Sequence, residues 1–325
     1  MRALMCKAYG PPESLVLEDV DAPTPGPGQV QVDVHAAGIN FPDILVFAGQ
    51  YQVRTEPPFI PGYEASGVVS AVGDGVSRLS VGDKVILTPM GGAFAETIVV
   101  HESQAFPMPE SLSFEQAAGF PITYCTSFHA LKQSAALQPG ETLLVLGAAG
   151  GVGTTAVEIG KAFGARVIAA ASTDEKLEFA TSVGADETIN YTNTGLKDAV
   201  RALTDGKGVD VVYDPVGGEL AEQALRATGW HGRYLVIGFA SGDIPKFPAN
   251  LALLKEASIV GVFWGQWAAT DPAAHLGNIG EMVQLLAEGK LTPRITATYA
   301  LDDYVKAYDD VANRRVTGKT VFKLR

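Results

Sequence analysis

The segment LLVLGAAGGVGTTAVEIGKAFGARVIAAAS runs from Leu143 to Ser172 and carries three small residues at fixed offsets, Ala148, Gly150 and Gly153. An apolar run precedes them, a helical run follows, and a second apolar run closes the segment. A tight turn into a helix N-terminus needs residues with little or no side chain. Backbone N–H groups can then approach a pyrophosphate, and the helix dipole favours the anion. This is the chemistry of a dinucleotide-binding turn. Two details depart from its NAD form. Ala148 stands where the first glycine is expected, and the second strand ends in Ala171-Ser172 rather than in an acid. An acid there would bind ribose hydroxyls, whereas hydroxyls and cations would surround a 2′-phosphate. Ser172 and Thr173, with Lys176 one helical turn on, favour NADPH over NADH. Ser172-x-x-Glu175 also reads as a capping box. The two roles are compatible, since a phosphate would sit at that same helix end.

Other reactive residue types are sparse. His35, His101, His129, His231 and His275 form no ligand spacing. Cys125, with no base beside it in the sequence, reads as a small packed residue. Asp214 ends an apolar strand and reads as a turn-stabilising carboxylate. Gly318-Lys319-Thr320 resembles the end of a phosphate loop, but Asn313 replaces the required glycine and a strand follows, so that reading is rejected.

Elements that would position these residues follow from periodicity. The first third is β-rich: QVQVDVHAAGI alternates Val30, Val32 and Val34 with polar neighbours, and short strands joined by Gly73-Asp74-Gly75 and Gly82-Asp83 suggest a partly closed barrel. Ser113 is an expected N-cap, and Pro121 separates two helices. Strands are then expected at 142–147, 166–171, 187–190, VDVVYD, GRYLVIGF and ASIVGVFW, with helices between them. Six strands with helical crossovers make a doubly wound parallel sheet. The tail offers an amphipathic helix at 279–288, the strand ITATYA, a helix at 302–313 and the strand KTVFKL, which folds back onto the first domain.

The ordered motifs GINFPDILVFAGQY (38–51), PGYEASGVVSAVG (61–73), VGDKV (81–85), AFAE (93–96), TSFHAL (126–131), LGAAGGVG (146–153), GAD with INY (184–191), VDVVYDPVGG (209–218) and GKTVFKL (318–324) carry a resemblance over nearly the whole chain. The chain resembles the zinc-independent quinone oxidoreductases of the medium-chain dehydrogenase/reductase superfamily, the group that includes zeta-crystallin. The resemblance implies an α/β protein with a GroES-like β-rich catalytic domain, residues 1–120 and 265–325, and a six-stranded Rossmann domain, residues 121–264, with NADPH in the cleft between them. It places Asn40 and Thr126 near the nicotinamide, and Gly150, Gly151, Val152 and Gly153 at the pyrophosphate. Ser172, Lys176 and Tyr191 would surround the 2′-phosphate, with Arg314 also near the cofactor. Gly238 and Phe239 of GFASG, and Phe263 of VFWG, would flank the nicotinamide ribose and the pocket. Tyr51 would face the substrate.

The zinc members of that superfamily need thiolate and imidazole ligands. Here Asn40 and Tyr63 stand at those positions, Glu64 alone cannot hold a metal, and no four-cysteine lobe is present, so no metal site is expected. Glu64 is read as structural, bonding backbone or a nearby cation. Leu45 replaces a tyrosine that some relatives carry, and Trp264 and Trp267 are bulky enough to narrow a pocket.

A net charge of -12 argues against non-specific nucleic-acid or anionic-membrane binding. Two cysteines suit a reducing compartment. With no signal-peptide pattern and no uncharged run of membrane length, a soluble cytoplasmic protein is expected. The function expected is hydride transfer from NADPH to a quinone or an α,β-unsaturated carbonyl, with Asn40, Tyr51 and Thr126 framing the reacting face. Enoyl-thioester reduction and non-catalytic NADPH binding are the alternatives. The family also implies a homodimer, in which the last sheet strand pairs with its copy.

Overall fold

The computed structural model describes all 325 residues. The chain divides into two compact units, Met1–Ile122 with Pro293–Arg325, and Thr123–Thr292. The second unit therefore extends past the expected 264. Helix residues in 272–287 account for this. Asn278 exchanges side-chain hydrogen bonds with Gln133 at 2.9 and 3.1 Å, and Glu281 pairs with Lys132.

In the first unit the strands are β1 (Arg2–Met5), β2 (Val16–Asp19), β3 (Gln29–Ile39), β4 (Ala65–Val72), β5 (Lys84–Leu87), β6 (Thr97–His101) and β7 (Ala105–Pro107), with helices α1 (Phe41–Phe47) and α2 (Phe114–Ala118). The alternation in β3 is realised: Val30, Val32 and Val34 are buried while Gln29, Gln31, Asp33 and His35 are not. Ser113 caps α2, its hydroxyl accepting from the Gln116 N–H at 3.2 Å.

The second unit begins within α3 (Pro121–His129), which runs on as a π-helical turn, Ala130–Ser134. It then alternates β8 (Thr142–Leu146), α4 (Gly151–Ala162), β9 (Arg166–Ala171), α5 (Asp174–Ser182), β10 (Glu187–Asn190), α6 (Leu196–Leu203), β11 (Val209–Asp214), α7 (Glu219–Ala227), β12 (Thr228–Val236), α8 (Ala249–Lys255) and β13 (Ser258–Gly261), before α9 (Trp264–Thr270) and α10 (Pro272–Ala287). All neighbouring strands pair in parallel in the order β10-β9-β8-β11-β12-β13. This is the doubly wound sheet, with the order reversing between β8 and β11. Its central strands β8, β9 and β11 are buried over most of their length, as expected of strands covered on both faces.

The tail supplies β14 (Ile295–Ala300), α11 (Tyr304–Ala312) and β15 (Lys319–Lys323). β15 runs antiparallel to β3, with Thr320 opposite Ile39, and completes the sheet β14-β15-β3-β4-β5-β7, with β6 also paired to β3. The N-terminal and C-terminal stretches thus share one core, in which Phe47, Phe94, Tyr308 and Phe322 meet edge-on.

Three expectations change. GRYLVIGF is strand only to Val236, in a strand that already starts at Thr228. ASIVGVFW is a strand only to Gly261, because Trp264 opens α9. The tail helix expected at 279–288 starts at Pro272, capped by Asp271. No helix is long and apolar enough to cross a membrane.

Candidate functional site

The turn after β8 shows why alanine is accepted at position 148. The left-handed conformation falls on Gly147, at φ 56°, one residue earlier. Ala148 needs only to be small: it is fully buried, and its N–H donates to the Ala170 carbonyl at 3.2 Å. Gly153 is fixed by space. A Cβ there would lie 2.2 Å from the Gly147 carbonyl oxygen and 2.9 Å from the Ala148 Cα. Gly150 is different. It is exposed, it is the N-cap of α4, and a Cβ would meet only the Gly147 oxygen, at 3.4 Å. No other atom lies within 4 Å of that Cβ position, so the space beside Gly150 is open. Gly151 and Val152 follow as the first residues of α4, where backbone N–H groups lack helical partners.

The turn sits where the strand order reverses, at the carboxyl ends of the strands. A Cβ on Gly147 would touch Val216 at 3.0 Å, in the loop after β11. Asp214 builds that loop: Oδ1 accepts from the Val216 and Gly217 N–H groups at 2.7 and 2.9 Å, and Oδ2 from the Tyr234 hydroxyl. It is structural, as its position at a strand end implied. The GFASG loop packs on it, with the Ile237 N–H donating to the Asp214 carbonyl at 2.9 Å and the Ser241 N–H to Val216 at 2.9 Å. Gly238 and Phe239 therefore stand at the same sheet edge as Gly150. In open α/β sheets this edge is where ligands bind.

At the end of β9 the structure corrects the capping assignment. Thr173 is the N-cap of α5, accepting from the Lys176 N–H at 3.3 Å, and the Ser172 side chain takes no part in the cap. The loop after β10 is tied to this corner. The Tyr191 N–H donates to the Ala171 carbonyl at 3.2 Å, and the Thr192 hydroxyl to the Ser172 carbonyl at 3.2 Å. Ser172, Lys176 and Tyr191, all half-buried, are thus brought together. Asp174, the nearest acid, is engaged by the Asn190 amide at 2.7 Å.

In α3, Thr126 is the one residue between Thr123 and Leu131 that is not buried. Its neighbour Ser127 is locked inward, to Thr155 at 2.8 Å and to the Tyr213 hydroxyl at 2.7 Å. Cys125 is buried. The two tryptophans are held by histidines of their own unit: Trp267 stacks on His129 at 4.1 Å, and Trp264 meets His275 edge-on at 5.6 Å. Phe263, half-exposed, precedes them at the start of α9.

In the other unit Asn40 lies at the junction of β3 and α1 and is almost fully buried. Its amide donates to Glu64 Oε1 at 2.8 Å and accepts from Lys319 Nζ at 2.5 Å. Lys319 lies 2.6 Å from Glu64 Oε1, and Glu64 Oε2 accepts from the Ile122 N–H at 2.8 Å. Glu64 thus bonds backbone and a cation, as expected. No cluster of three or more His, Cys, Asp or Glu side chains is arranged to hold a metal ion.

Asp43 was not singled out by the sequence. It is fully buried, and Oδ2 accepts from the Asn40 N–H at 2.7 Å and from the Tyr308 hydroxyl at 3.4 Å. Oδ1 has no partner. Burial pushes its carboxyl up to about 7, against the Asn40 bond and the Lys319 charge. Burial also raises the Tyr51 and Tyr63 hydroxyls, Tyr63 to about 12, and the nearby Asp43 charge adds to both. The signal that could have found Asp43 is Asn40-x-x-Asp43, a helix-start pattern just before an apolar run. Arg314 follows α11 in the left-handed conformation, at φ 54°.

Comparison with known proteins agrees with this architecture. Residues 26–110 match the alcohol dehydrogenase GroES-like domain, and residues 151–278 match the zinc-binding dehydrogenase domain. A quinone oxidoreductase-like protein 2 homolog of Nematostella vectensis is 42% identical, over all of this chain and 89% of the relative. A quinone oxidoreductase of Pseudomonas aeruginosa is 36% identical, over 97% of each chain. The crystal structure of Escherichia coli quinone oxidoreductase complexed with NADPH superposes with a TM-score of 0.93, over 100% of both chains at 29% identity. The chain belongs to the zinc-independent quinone oxidoreductase group of the medium-chain dehydrogenase/reductase superfamily.

Proposed function

We propose that the protein is an NADPH-dependent reductase that transfers hydride to quinones or α,β-unsaturated carbonyls without a metal. The observation that carries the reading is the pairing of an open, glycine-lined helix start at Gly150 with a β9 end that offers Ser172, Lys176 and Tyr191. The first suits a pyrophosphate and the second a 2′-phosphate. The NADPH-bound relative in the same group supports the choice of coenzyme.

In this reading Gly150, Gly151, Val152 and Gly153 hold the pyrophosphate, Gly238, Phe239 and Phe263 flank the nicotinamide end, and Arg314 lies near the coenzyme. The coenzyme supplies the hydride when bound. The chain binds, orients and excludes water. Asn40, Tyr51 and Thr126 are assigned to the reacting face. Tyr51, whose hydroxyl is raised, stays protonated and is a hydrogen-bond donor for an oxygen that gains charge.

Steady-state NADPH oxidation with 1,4-benzoquinone, an enone and a crotonyl thioester tests the acceptor class. Quinone or enone turnover is expected; turnover of the thioester alone would favour an enoyl-thioester reductase. The variant Lys176→Ala is expected to weaken NADPH about tenfold or more and to leave NADH affinity near the parent's, since it removes one charge-assisted phosphate contact. Equal losses for both coenzymes would remove the 2′-phosphate assignment.

A homodimer forms, in this proposal, through β13. It is an edge strand with exposed Ile259, and the preceding helix α8 exposes Leu253 and Leu254. An uncovered edge of this kind favours pairing. Sedimentation should give a dimer for the parent and a monomer for Ile259→Lys; a parent monomer at micromolar concentration would contradict it.

A further inference from the structure

The Asn40 amide has an orientation that its partners dictate. An ammonium can only donate, so the atom facing Lys319 Nζ at 2.5 Å is the amide oxygen. A carboxylate can only accept, so the atom facing Glu64 Oε1 at 2.8 Å is the amide nitrogen. Asparagine flips are usually open to choice; here the two charges remove that choice.

Lys319 Nζ donates to Asn40 Oδ1 and to the Ile39 carbonyl at 2.8 Å, and lies 2.6 Å from Glu64 Oε1 as an ion pair. Glu64 uses Oε1 for Lys319 and Asn40, and Oε2 for the Ile122 N–H. The Asn40 backbone N–H goes to Asp43. Asn40 Nδ2 carries two hydrogens, and Glu64 takes one. The second has no acceptor among Glu64, Lys319, Asp43 and Ile39.

The surroundings are built for this lock. The register of β15 against β3 sets Thr320 opposite Ile39, which brings Lys319 to the end of β3, where Asn40 begins α1. A side chain on Gly38 would lie 2.2 Å from Glu64 Oε1, so glycine there makes room for the carboxylate. Both charges are deeply buried, with side-chain exposures of 8% for Lys319 and 0% for Glu64. A buried ion pair is weak evidence for stability, because desolvation offsets the attraction; fixing one arrangement is its better-attested use.

We propose that Lys319, acting with Glu64, is a positioning residue that locks the Asn40 amide so that its remaining N–H is presented to the carbonyl oxygen of the acceptor. The inference rests on the reductase reading, in that it takes the acceptor oxygen as the ligand of that N–H. Hydride from the coenzyme forms a C–H bond on the acceptor, the coenzyme is oxidised by two electrons, and the acceptor oxygen gains the charge. The Asn40 N–H donates a hydrogen bond to that oxyanion and keeps its proton; solvent protonates the product. A donor fixed in advance needs no reorganisation as the charge develops. Gly318-Lys319-Thr320 thus supplies a cation inside a β-sheet rather than a phosphate loop.

Lys319→Met alone leaves Glu64 buried without its cation, so the test uses Lys319→Met/Glu64→Gln, in which no charge is left behind and the amide loses the two charges that dictate its orientation. Three quantities are read on parent and double variant: NADPH affinity by fluorescence titration, kcat and KM with 1,4-benzoquinone, and the side-chain ¹⁵N–¹H₂ signals of Asn40, identified by their loss in Asn40→Ala. The parent should show two inequivalent amide protons, one protected from exchange and one not. The double variant should move those signals, bind NADPH within about twofold of the parent, and lower kcat roughly tenfold to a hundredfold. A merely structural role would leave kcat in step with the folded fraction. Unmoved amide signals, or a folded double variant with parental kcat, would overturn the proposal. If the parent reduces no acceptor, the reductase reading fails separately, and the amide signals still decide whether Lys319 fixes Asn40.

Discussion

Replacing Gly153 with alanine is expected to destabilise the nucleotide-binding unit by about 3 kcal/mol and to abolish measurable coenzyme binding. The added Cβ would lie 2.2 Å from the Gly147 carbonyl oxygen and 2.9 Å from the Ala148 Cα, both backbone atoms of the turn itself. No side chain can move aside, so the turn after β8 must open. Opening it shifts Gly147 and tilts the start of α4. Gly150→Ala provides the contrast. Its Cβ meets only an ordinary contact at 3.4 Å. That variant should unfold with the parent and still bind NADPH at least tenfold more weakly, because the methyl group occupies the approach of a pyrophosphate. Thermal unfolding and fluorescence titration of the two variants check this directly. A stable Gly153→Ala that binds like the parent would show that the turn is not as tight as described. A parental affinity in Gly150→Ala would show that nothing approaches there.

The second large effect concerns Asp43. Its carboxyl is held up to about 7 in the folded protein, from an ordinary value of 3.8. The folded state therefore keeps this proton to higher pH than the unfolded chain. The associated stability is fully present below the unfolded value, falls as pH rises, and is gone above the folded value. A gap of about three pH units corresponds to roughly 4 kcal/mol. Asp43→Asn removes the titration and keeps one oxygen. One is sufficient, because Asn40 and Tyr308 both donate to Oδ2. The amide nitrogen then takes the place of Oδ1, which has no partner, at a cost of about 1–3 kcal/mol. The variant should be the less stable protein near pH 4.5 and the more stable one near pH 8, the difference changing by about 3 kcal/mol between them. Urea unfolding across that range reads it. Parallel pH profiles for the two proteins would contradict the assignment.

How far the sequence reaches can be judged from these same residues. Strands such as Arg166–Ala171, Glu187–Asn190 and Val209–Asp214, and the helix Asp174–Ser182, end where periodicity and turn residues place them. These elements are local, and their glycines and caps are local signals. The edges of the sheet were harder. Ser258–Gly261 ends at its glycine and Trp264 starts a helix, although the apolar run continues through Val262 and Phe263. The helix Phe41–Phe47 lies in GINFPDILVFAGQY, where Pro42 and a short apolar run hide its period. The compact unit with the parallel sheet runs to Thr292, and Gln133–Asn278 and Lys132–Glu281, pairs that are distant in sequence, tie its last helix to it.

The candidate site divides in the same way. Gly150, Gly153 and Ser172 are legible because a turn and a strand end are local. Even there the cap proved to be Thr173 rather than Ser172, a one-residue difference that hydroxyl spacing does not resolve. The Asn40–Glu64–Lys319 cluster joins positions 24 and 279 residues away from Asn40. Glu64 is expected to bond backbone or a nearby cation, and only the β15–β3 pairing shows which cation. Asp43 became visible through burial, which no single-residue pattern reports.

The central claim, hydride transfer from bound NADPH to a quinone or enone, is tested most directly by single-turnover oxidation of NADPH in metal-free buffer with 1,4-benzoquinone in excess. NADPH carrying deuterium at the transferred C4 position is run beside the ordinary coenzyme. The account predicts loss of one equivalent of the reduced-nicotinamide absorbance per site, slowed by deuterium, and slower still with NADH. Bound NADPH that survives every acceptor unoxidised, or turnover that is faster with NADH, would contradict it.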